Sequence, residues 1–288
     1  MSAPSIRARV RAELTEEIKS VARRHLATDG ANLSLRAVAR DLGMVSSALY
    51  RYFASRDELL TALILDAYRA LGDAAEQADT AQQADTAEQA DTAEQADTAQ
   101  HAKAAQRTNT PEHGSTAEQG RTADQAGTTQ PKTEPRARWL AVCRAVREWA
   151  LQHPAEYALI YGSPVPGYVA PPETTMQAQR VPLTLARILV DAAADGRLGA
   201  PATTVPPTTT VPPAPVRADL ARLMTQVDTV QIGGTLTEEE LARGLAGWHQ
   251  LFGLLSFEIF GRLEQVVEHR EPYFDHQMRL MADLAGLP

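Results

Sequence analysis

The feature that most constrains the fold of this chain is a long gap in its large apolar residues. From Gly72 to Arg138, 67 residues contain no Ile, Leu, Val, Met, Phe, Tyr or Trp, and residues 78–101 repeat a hexapeptide, ADTAQQ-ADTAEQ-ADTAEQ-ADTAQH. A six-residue step rotates a helix by about 600°, so successive copies never build one apolar face. We therefore expect residues 72–135 to be a low-complexity insertion, disordered or partly helical, that lies outside the hydrophobic core.

A second low-complexity segment, GAPATTVPPTTTVPPAP at 199–215, has six prolines and predicts a Pro/Thr-rich loop. In the rest of the chain the apolar residues follow helical periodicity without the alternation of strands, which predicts an all-α core. We expect this core to stay folded when both segments are deleted. Residues 74–100 hold seven acids and no base, so a role as an acidic interaction arm stays open.

Apolar spacing and capping residues place the helices. Ser34 is a candidate N-cap, and Ser55 with Glu58 and Thr237 with Glu240 are candidate capping boxes. The predicted helices cover residues 5–28, 35–42, 45–52, 55–71, 136–152, 154–162, 173–195 with a kink at Pro182, 217–226, 237–262 and 272–285.

Charge is distributed unevenly along the chain. The formal net charge is −8, yet residues 1–70 carry 11 Lys/Arg against 8 Asp/Glu, so a basic N-terminal part precedes an acidic body. This pattern fits a protein that meets a polyanion with one end only. The single cysteine, Cys143, excludes an internal disulfide and is expected to be buried. No signal peptide or 18-residue apolar run is present, and we expect a soluble, cytoplasmic protein without a membrane partner.

Residues 41–60, DLGMVSSALYRYFASRDELL, have the dimensions of a helix-turn-helix. Gly43 suits a left-handed turn, while Leu49 and Phe53 should face inward. These assignments leave a surface of small and hydrogen-bonding side chains that could enter a major groove and read bases, namely Val45, Ser46, Ser47, Ala48 and Arg51.

Groups suited to phosphate surround that surface. Arg56 lies in the first turn of the fourth helix, where the helix dipole also favours an anion. The predicted phosphate contacts are Ser34, Arg36, Tyr50, Tyr52 and Arg56. From the residues alone, a helical hairpin with two half-buried tyrosines remains the alternative.

Residues 33–60 resemble the N-terminal helix-turn-helix domain of the TetR family of bacterial regulators. The shared elements are a serine that opens helix two, VA..LG at its end, a serine-rich third helix that ends in LYxxF, and a basic residue before an acid and a Leu-Leu pair. The resemblance implies that residues 45–52 read bases and that Tyr50 and Arg56 contact phosphate. Tyr52 stands where this family often has a histidine.

The C-terminal half resembles TetR members with a tryptophan-histidine-glycine-type ligand domain, on HPAEYALIYGSPVPGY (153–168), APPETT (170–175) and WHQLFGLLSFEIFGRL (248–263). The resemblance implies a four-helix dimer interface, for which we predict Trp248, Phe252, Leu255 and Ile259; the core of a monomer is the alternative. It also implies an effector pocket, for which we predict Trp149, Tyr157 and Tyr161, with core packing as the alternative.

The resulting domain division is a helix-turn-helix domain at 1–54, a connecting helix at 55–71, the insertion at 72–135 and a helical effector-binding and dimerisation domain at 136–288. The predicted function is a ligand-responsive repressor that binds a pseudo-palindromic DNA operator as a homodimer and responds to an unidentified small molecule. The alternatives are an activator, a ligand-independent regulator, or a helical small-molecule-binding protein or enzyme without DNA binding. We expect no enzyme activity and no cofactor, because the sequence has no phosphate loop or nucleophile elbow, and no metal, because the histidines form no ligand constellation.

Overall fold

Residues 5–30, 33–107, 134–199, 212–229 and 234–288 are described in a computed structural model of the chain. Within these ranges the regular secondary structure is helical throughout, which confirms the predicted all-α fold. The helices are α1 (Ile6–Asp29), α2 (Leu35–Asp41), α3 (Ser46–Leu49), α4 (Arg56–Arg107), α5 (Pro135–Gln152), α6 (Pro154–Tyr161), α7 (Glu173–Ala178), α8 (Arg180–Ala194), α9 (Ala214–Thr229), α10 (Glu238–Ile259) and α11 (Arg270–Ala285).

Side-chain caps start several of these helices where the sequence predicts. The hydroxyl of Ser34 accepts from the backbone N–H of Ala37 at 3.5 Å. Thr237 and Glu240 form a full capping box at the start of α10, with bonds of 3.2 and 2.7 Å. At α4, the Ser55 hydroxyl accepts from the N–H of Glu58. The Glu58 carboxylate reaches back one residue further than predicted, to the N–H of Ala54.

The predicted helix 173–195 is divided into α7 and α8 around Gln179. Pro182 lies in the first turn of α8. Backbone N–H groups in the first turn have no acceptor within the helix, so a proline there costs no helical hydrogen bond. The proline therefore starts a new helix instead of kinking one continuous helix.

The predicted end of the connecting helix at residue 71 is wrong. Helix α4 continues without interruption to Arg107, so residues 72–107 of the expected insertion are helical. Its first part packs along α5: Leu71, Ala75 and Asp79 are buried at helical spacing. This first part of residues 72–107 therefore belongs to the packed core, whereas the sequence placed it outside the core. Residues 108–133, and residues 200–211 of the Pro/Thr-rich segment, lie outside the described residues.

Two hydrophobic clusters divide the chain. The N-terminal cluster joins α1, α2, α3 and the start of α4, and the second joins the later part of α4 to α5, α8, α10 and α11. Helix α6 and the segment after it touch both clusters, because Leu159, Val165 and Tyr168 pack on the first and Tyr157 lies within the second. Cys143 is fully buried in the second cluster, as predicted.

Candidate nucleic-acid interface

The helix-turn-helix has the predicted turn and interior. Gly43 has a φ of +64°, the left-handed conformation that a side chain resists. The backbone N–H of Met44 donates to the carbonyl of Ala39 at 2.9 Å and closes the end of α2. Leu49 and Phe53 are buried against α1 and α4, so one side of α3 is fixed to the domain core and the other is left outside.

Regular helix in α3 is shorter than the predicted 45–52. It covers Ser46–Leu49, and the following residues form tight turns in which the N–H of Arg51 donates to the carbonyl of Ala48 and that of Tyr52 to Leu49. These bonds span three residues instead of four, which tightens the last turn before Phe53 enters the core. The predicted reading segment is thus one helical turn extended by a tighter one.

The predicted base-reading residues differ in accessibility. Val45 leaves 70% of its surface exposed, a large value for an apolar residue. Ser47 and Arg51 are also exposed, whereas Ser46 and Ala48 are half-buried. Val45, Ser47 and Arg51 are therefore the members of the predicted set best placed to touch a partner.

The predicted phosphate contacts divide into two groups. Ser34, Arg36 and Tyr50 are exposed beside α3. Tyr52 and Arg56 are half-buried and take part in the domain itself. The Nε of Arg56 donates to the carbonyl of Leu33 at 3.2 Å, so its guanidinium supports the chain that leads into α2.

Sequence reasoning missed Arg11 on α1. Its Nη2 donates to the carbonyl of Arg51 at 3.1 Å, and its guanidinium carbon lies 5.3 Å from the centre of the Tyr52 ring. Both contacts hold the end of the reading segment against α1. The only sign of this role in the sequence is that Arg11 belongs to a basic run, IRARVR, forty residues away.

Ion pairs fix α1 to α4 in the head, by which we mean α1, α2, α3 and the start of α4. Lys19 Nζ and Arg23 Nη2 both bind Oδ2 of Asp66, at 2.7 and 3.0 Å. His25 Nε2 lies 2.8 Å from a carboxylate oxygen of Asp41 and joins the ends of α1 and α2. These contacts hold α1, α2 and α4 together in the domain that contains the reading segment.

The structure places the predicted effector-pocket residues in the aromatic core. Trp149 and Tyr157 are buried, and the Tyr157 hydroxyl donates to the carbonyl of Phe252 at 3.1 Å. The Tyr161 ring lies 4.3 Å from the Phe252 ring, measured between centroids, and burial raises the pKa of Tyr161 above its ordinary value. None of the three lines the cleft between Tyr68 and Tyr168 or the smaller cavity beside Leu26. All three rings thus pack within the core, and their assignment to an effector pocket stays a prediction.

The predicted dimer residues also face the interior of their own subunit. Leu255 and Phe252 are buried, and Trp248 and Ile259 pack against the same cluster. The opposite side of α10 is exposed, including 52% of Phe257. The apolar residues of α10 form a band wider than one face, so that one part of the band is buried inside the chain and the other is exposed.

No described helix is both long and apolar enough to cross a membrane. No group of three or more His, Cys, Asp or Glu side chains among these residues is arranged to hold a metal ion.

Comparisons with known proteins cover nearly the whole chain. Residues 18–63 match the family described as bacterial regulatory proteins, tetR family, and residues 139–281 match a tetracyclin repressor-like C-terminal domain. Two similar curated proteins are the HTH-type transcriptional regulators Rv1816 of Mycobacterium tuberculosis and Mb1846 of Mycobacterium bovis. Each is 31% identical over 274 residues, which is 94% of this chain and 92% of the relative.

Solved structures agree with this result. SCO4313, provisionally named a regulatory protein, has a TM-score of 0.57 and 28% identity over 97% of this chain and 98% of its own. A Rhodococcus sp. RHA1 protein of unknown function has a TM-score of 0.52 and 19% identity over 92% and 94% of the two chains, which supports the fold alone. Both halves of the chain match the same family, and the curated relatives span both halves. The protein therefore belongs to the TetR family and is a DNA-binding transcriptional regulator.

Proposed function

We propose that the protein is a homodimeric repressor that places the 45–51 segment of each subunit in the major groove of a two-fold symmetric operator. The observation that carries this proposal is the exposed surface of Val45, Ser47 and Arg51 beside the buried Leu49 and Phe53. An arginine guanidinium can donate two hydrogen bonds to the acceptors of guanine, and an apolar side chain can contact a thymine methyl. A serine hydroxyl can donate to a base edge or accept from it. The surface thus offers one group for each kind of base-edge contact.

We assign the exposed Ser34, Arg36 and Tyr50 to the DNA backbone, where they would set the register without reading sequence. Arg56 and Tyr52 first stabilise the domain itself: Arg56 donates to the carbonyl of Leu33, and the Tyr52 ring packs against Arg11. We assign phosphate contact to the exposed parts of both side chains as a second role. The excess of basic residues in the N-terminal part, 11 against 8 acids over residues 1–70, favours approach of this end to DNA.

Two copies of the head are needed because half-sites repeat at about 34 Å along the helix axis. We propose that the subunits pair through the exposed side of α10 and α11. On α10 and just beyond it, His249, Gly253, Phe257 and Phe260 recur at helical spacing and are all exposed. Gln250 donates to Gln277 and joins this side to α11, whose exposed residues include Tyr273, His276 and Leu280.

Gly253 supports the pairing surface for a steric reason. A Cβ built at this position meets no atom of its own chain within 4 Å, so the glycine is not required by packing inside the subunit. A glycine in the interior of a helix lowers its stability by about 1 kcal/mol relative to alanine. The close approach of a second helix would compensate for that cost.

Repression and release can be tested by in vitro transcription from a promoter that carries the bound operator. Added protein should reduce the transcript, whereas an increase would favour the activator alternative. A small molecule that frees the operator would restore transcription, because it binds the free state more tightly than the bound one. If the protein is a ligand-independent regulator, small molecules that bind it would leave the amount of transcript unchanged. We place this activity in the cytoplasm, with the DNA.

A further inference from the structure

The first turns of α1 extend beyond the hydrophobic core of the head. Residues 5–13 are exposed, and the first fully buried residue of this helix is Ile18. The helix is nevertheless regular from Ile6 onward, and the hydroxyl of Ser5 caps it by accepting from the N–H of Ala8 at 3.3 Å. Short helical segments gain most of their stability from packing, so the core of the chain does little to stabilise these turns.

One face of α1 continues from the core of the head into the exposed turns. Four residues at steps of four, three and four positions lie on this face, namely Ile18, Leu14, Arg11 and Arg7. Ile18 is fully buried, and Leu14 packs against the hydrophobic cluster of the head. Arg11 then donates to the carbonyl of Arg51, at the end of the reading segment. The face that points into the head at Ile18 is therefore open to solvent at Arg7.

The charge of Arg7 is not neutralised within the part of the chain that the structure describes. Arg7 lies one helical turn beyond Arg11, about 6 Å further along the helix axis. No described residue forms a hydrogen bond or an ion pair with its side chain. The nearest acid in the sequence, Glu13, pairs with Arg9 at 3.8 Å. Residues 5–12 thus hold three arginines and no acid beside the end of the reading segment.

We propose that Arg7 of each subunit binds the phosphate backbone of DNA just outside the half-site that the 45–51 segment reads. The inference deepens the proposed function and rests on its placement of that segment in the major groove. Because Arg11 bonds to the backbone of Arg51, α1 and the reading segment approach the duplex as one unit. An arginine one turn beyond this bond then meets the strand that flanks the bases that are read.

This contact has a consequence that base reading does not share. A guanidinium forms strong, charge-assisted hydrogen bonds with phosphate oxygens, and these bonds carry no sequence information. Arg7 therefore lengthens the stretch of DNA that the protein covers without lengthening the sequence motif that it selects.

Two DNA duplexes separate the flanking contact from base reading. The short duplex ends at the edges of the motif that the wild type enriches from a random pool, and the long duplex adds about ten base pairs of arbitrary sequence on each side, one turn of DNA. Arg7→Ala should leave the affinity for the short duplex unchanged and weaken binding to the long duplex about ten-fold. On the long duplex, the slope of log K against log salt concentration should fall by about 1 for each subunit.

Arg9→Ala is the matched control. Arg9 is exposed two residues further along the same helix, and two residues turn a helix by about 200°, so Arg9 lies on the opposite side from Arg7. Both substitutions remove one positive charge, and alanine is at least as good a helix former as arginine. Arg9→Ala should therefore keep the wild-type affinity and salt slope on both duplexes. Fluorescence anisotropy of the labelled duplexes over a series of salt concentrations measures every value.

Three results would overturn the proposal: an Arg7→Ala protein with wild-type affinity for the long duplex, equal losses in Arg7→Ala and Arg9→Ala, or equal losses by Arg7→Ala on both duplexes. The second would mean that only the net charge of α1 matters, and the third that Arg7 acts within the half-site. The proposed function fails separately, because a wild-type protein that enriches no motif contradicts the placement of the reading segment itself.

Discussion

The guanidinium of Arg138 binds both carboxylate oxygens of Asp79, with Nε to Oδ1 at 2.6 Å and Nη2 to Oδ2 at 2.9 Å. Asp79 belongs to the first copy of the ADTAQQ repeat, and Arg138 lies near the start of α5. Both side chains are buried, and Asp191 of α8 adds a third contact to the Arg138 Nη1 at 2.7 Å. One repeat copy is therefore part of the C-terminal core and connects three of its helices.

Asp79→Ala should lower the free energy of unfolding by about 3–5 kcal/mol, because it leaves a buried arginine without its main partner. Asp85→Ala changes the equivalent aspartate of the next repeat copy, which is exposed, and should change stability by less than about 0.5 kcal/mol. Denaturant-induced unfolding of the two variants and the wild type measures both values. Equal effects of the two substitutions would show that the ion pair does not hold α4 to α5.

Helix α4 shows which part of the fold could be predicted from the sequence and which part could not. The apolar periodicity of the chain predicts most helices to within a few residues, since those helices bury large side chains. The continuation of α4 was missed because its contact with α5 uses alanine and buried ion pairs. Arg180 shows the same principle: its guanidinium binds Glu76 and Asp73, with its Nη2 at 2.7 and 2.5 Å from their carboxylates. Neither interaction leaves a pattern that periodicity detects.

Removal of a phosphate contact should weaken binding to all DNA sequences alike. Arg36→Ala should reduce the slope of log K against log salt concentration by about 1, because one fewer counterion is released. The control is Arg187→Ala, which removes the same charge from an exposed position on α8, outside the helix-turn-helix domain. Fluorescence anisotropy on operator and on unrelated DNA measures both slopes. An unchanged slope for Arg36→Ala would contradict its assignment to the backbone.

A charge on the exposed side of α10 should separate the subunits. Phe257→Asp introduces an unpaired carboxylate into the proposed interface and should cost about 2 kcal/mol or more of association free energy. Val169→Asp is the control, since Val169 is 85% exposed in the loop before α7. Light scattering after size-exclusion chromatography gives the mass of each variant. A Phe257→Asp protein with the mass of a dimer would place the interface elsewhere.

The pairing of α5 with α11 should depend on pH in a defined direction. Arg144 donates to both carboxylate oxygens of Asp275, at 2.9 and 2.6 Å, and this pairing lowers the pKa of Asp275 below its ordinary value. Since the folded pKa lies below the unfolded one, the stabilisation is complete above the unfolded pKa of about 3.9 and is lost as pH falls through the folded pKa.

Unfolding free energies from pH 6 to pH 3 measure this effect. The difference between wild type and Asp275→Asn should be constant at the upper end and should shrink as the pH falls below the unfolded pKa. Asp219→Asn is the control, because Asp219 lies in an exposed pair with Arg222 on α9. A difference that grows toward low pH would have the wrong sign for this ion pair.

The site shows where sequence reasoning succeeds and where it stops. Val45, Ser47 and Arg51 were identified by elimination, because Leu49 and Phe53 had to face inward, and their exposure agrees with that argument. The contact of Arg11 with Tyr52 depends on the position of α1 beside the residues that follow α3, which no local pattern encodes. Periodicity also shows which residues of α10 are apolar without showing which neighbour covers them; Leu255 is covered by its own subunit.

Selection of bound sequences from a random DNA pool, by the wild type and by Arg51→Ala, tests the reading surface most directly. The wild type should enrich a two-fold symmetric motif whose half-site centres lie about 10 base pairs or a multiple of this distance apart. Arg51→Ala should relax the preference at one position in each half-site, at a cost of about 1–3 kcal/mol. A pool without an enriched motif, or a motif that both Arg51→Ala and Ser47→Ala leave unchanged, would contradict the assignment of base reading to this surface.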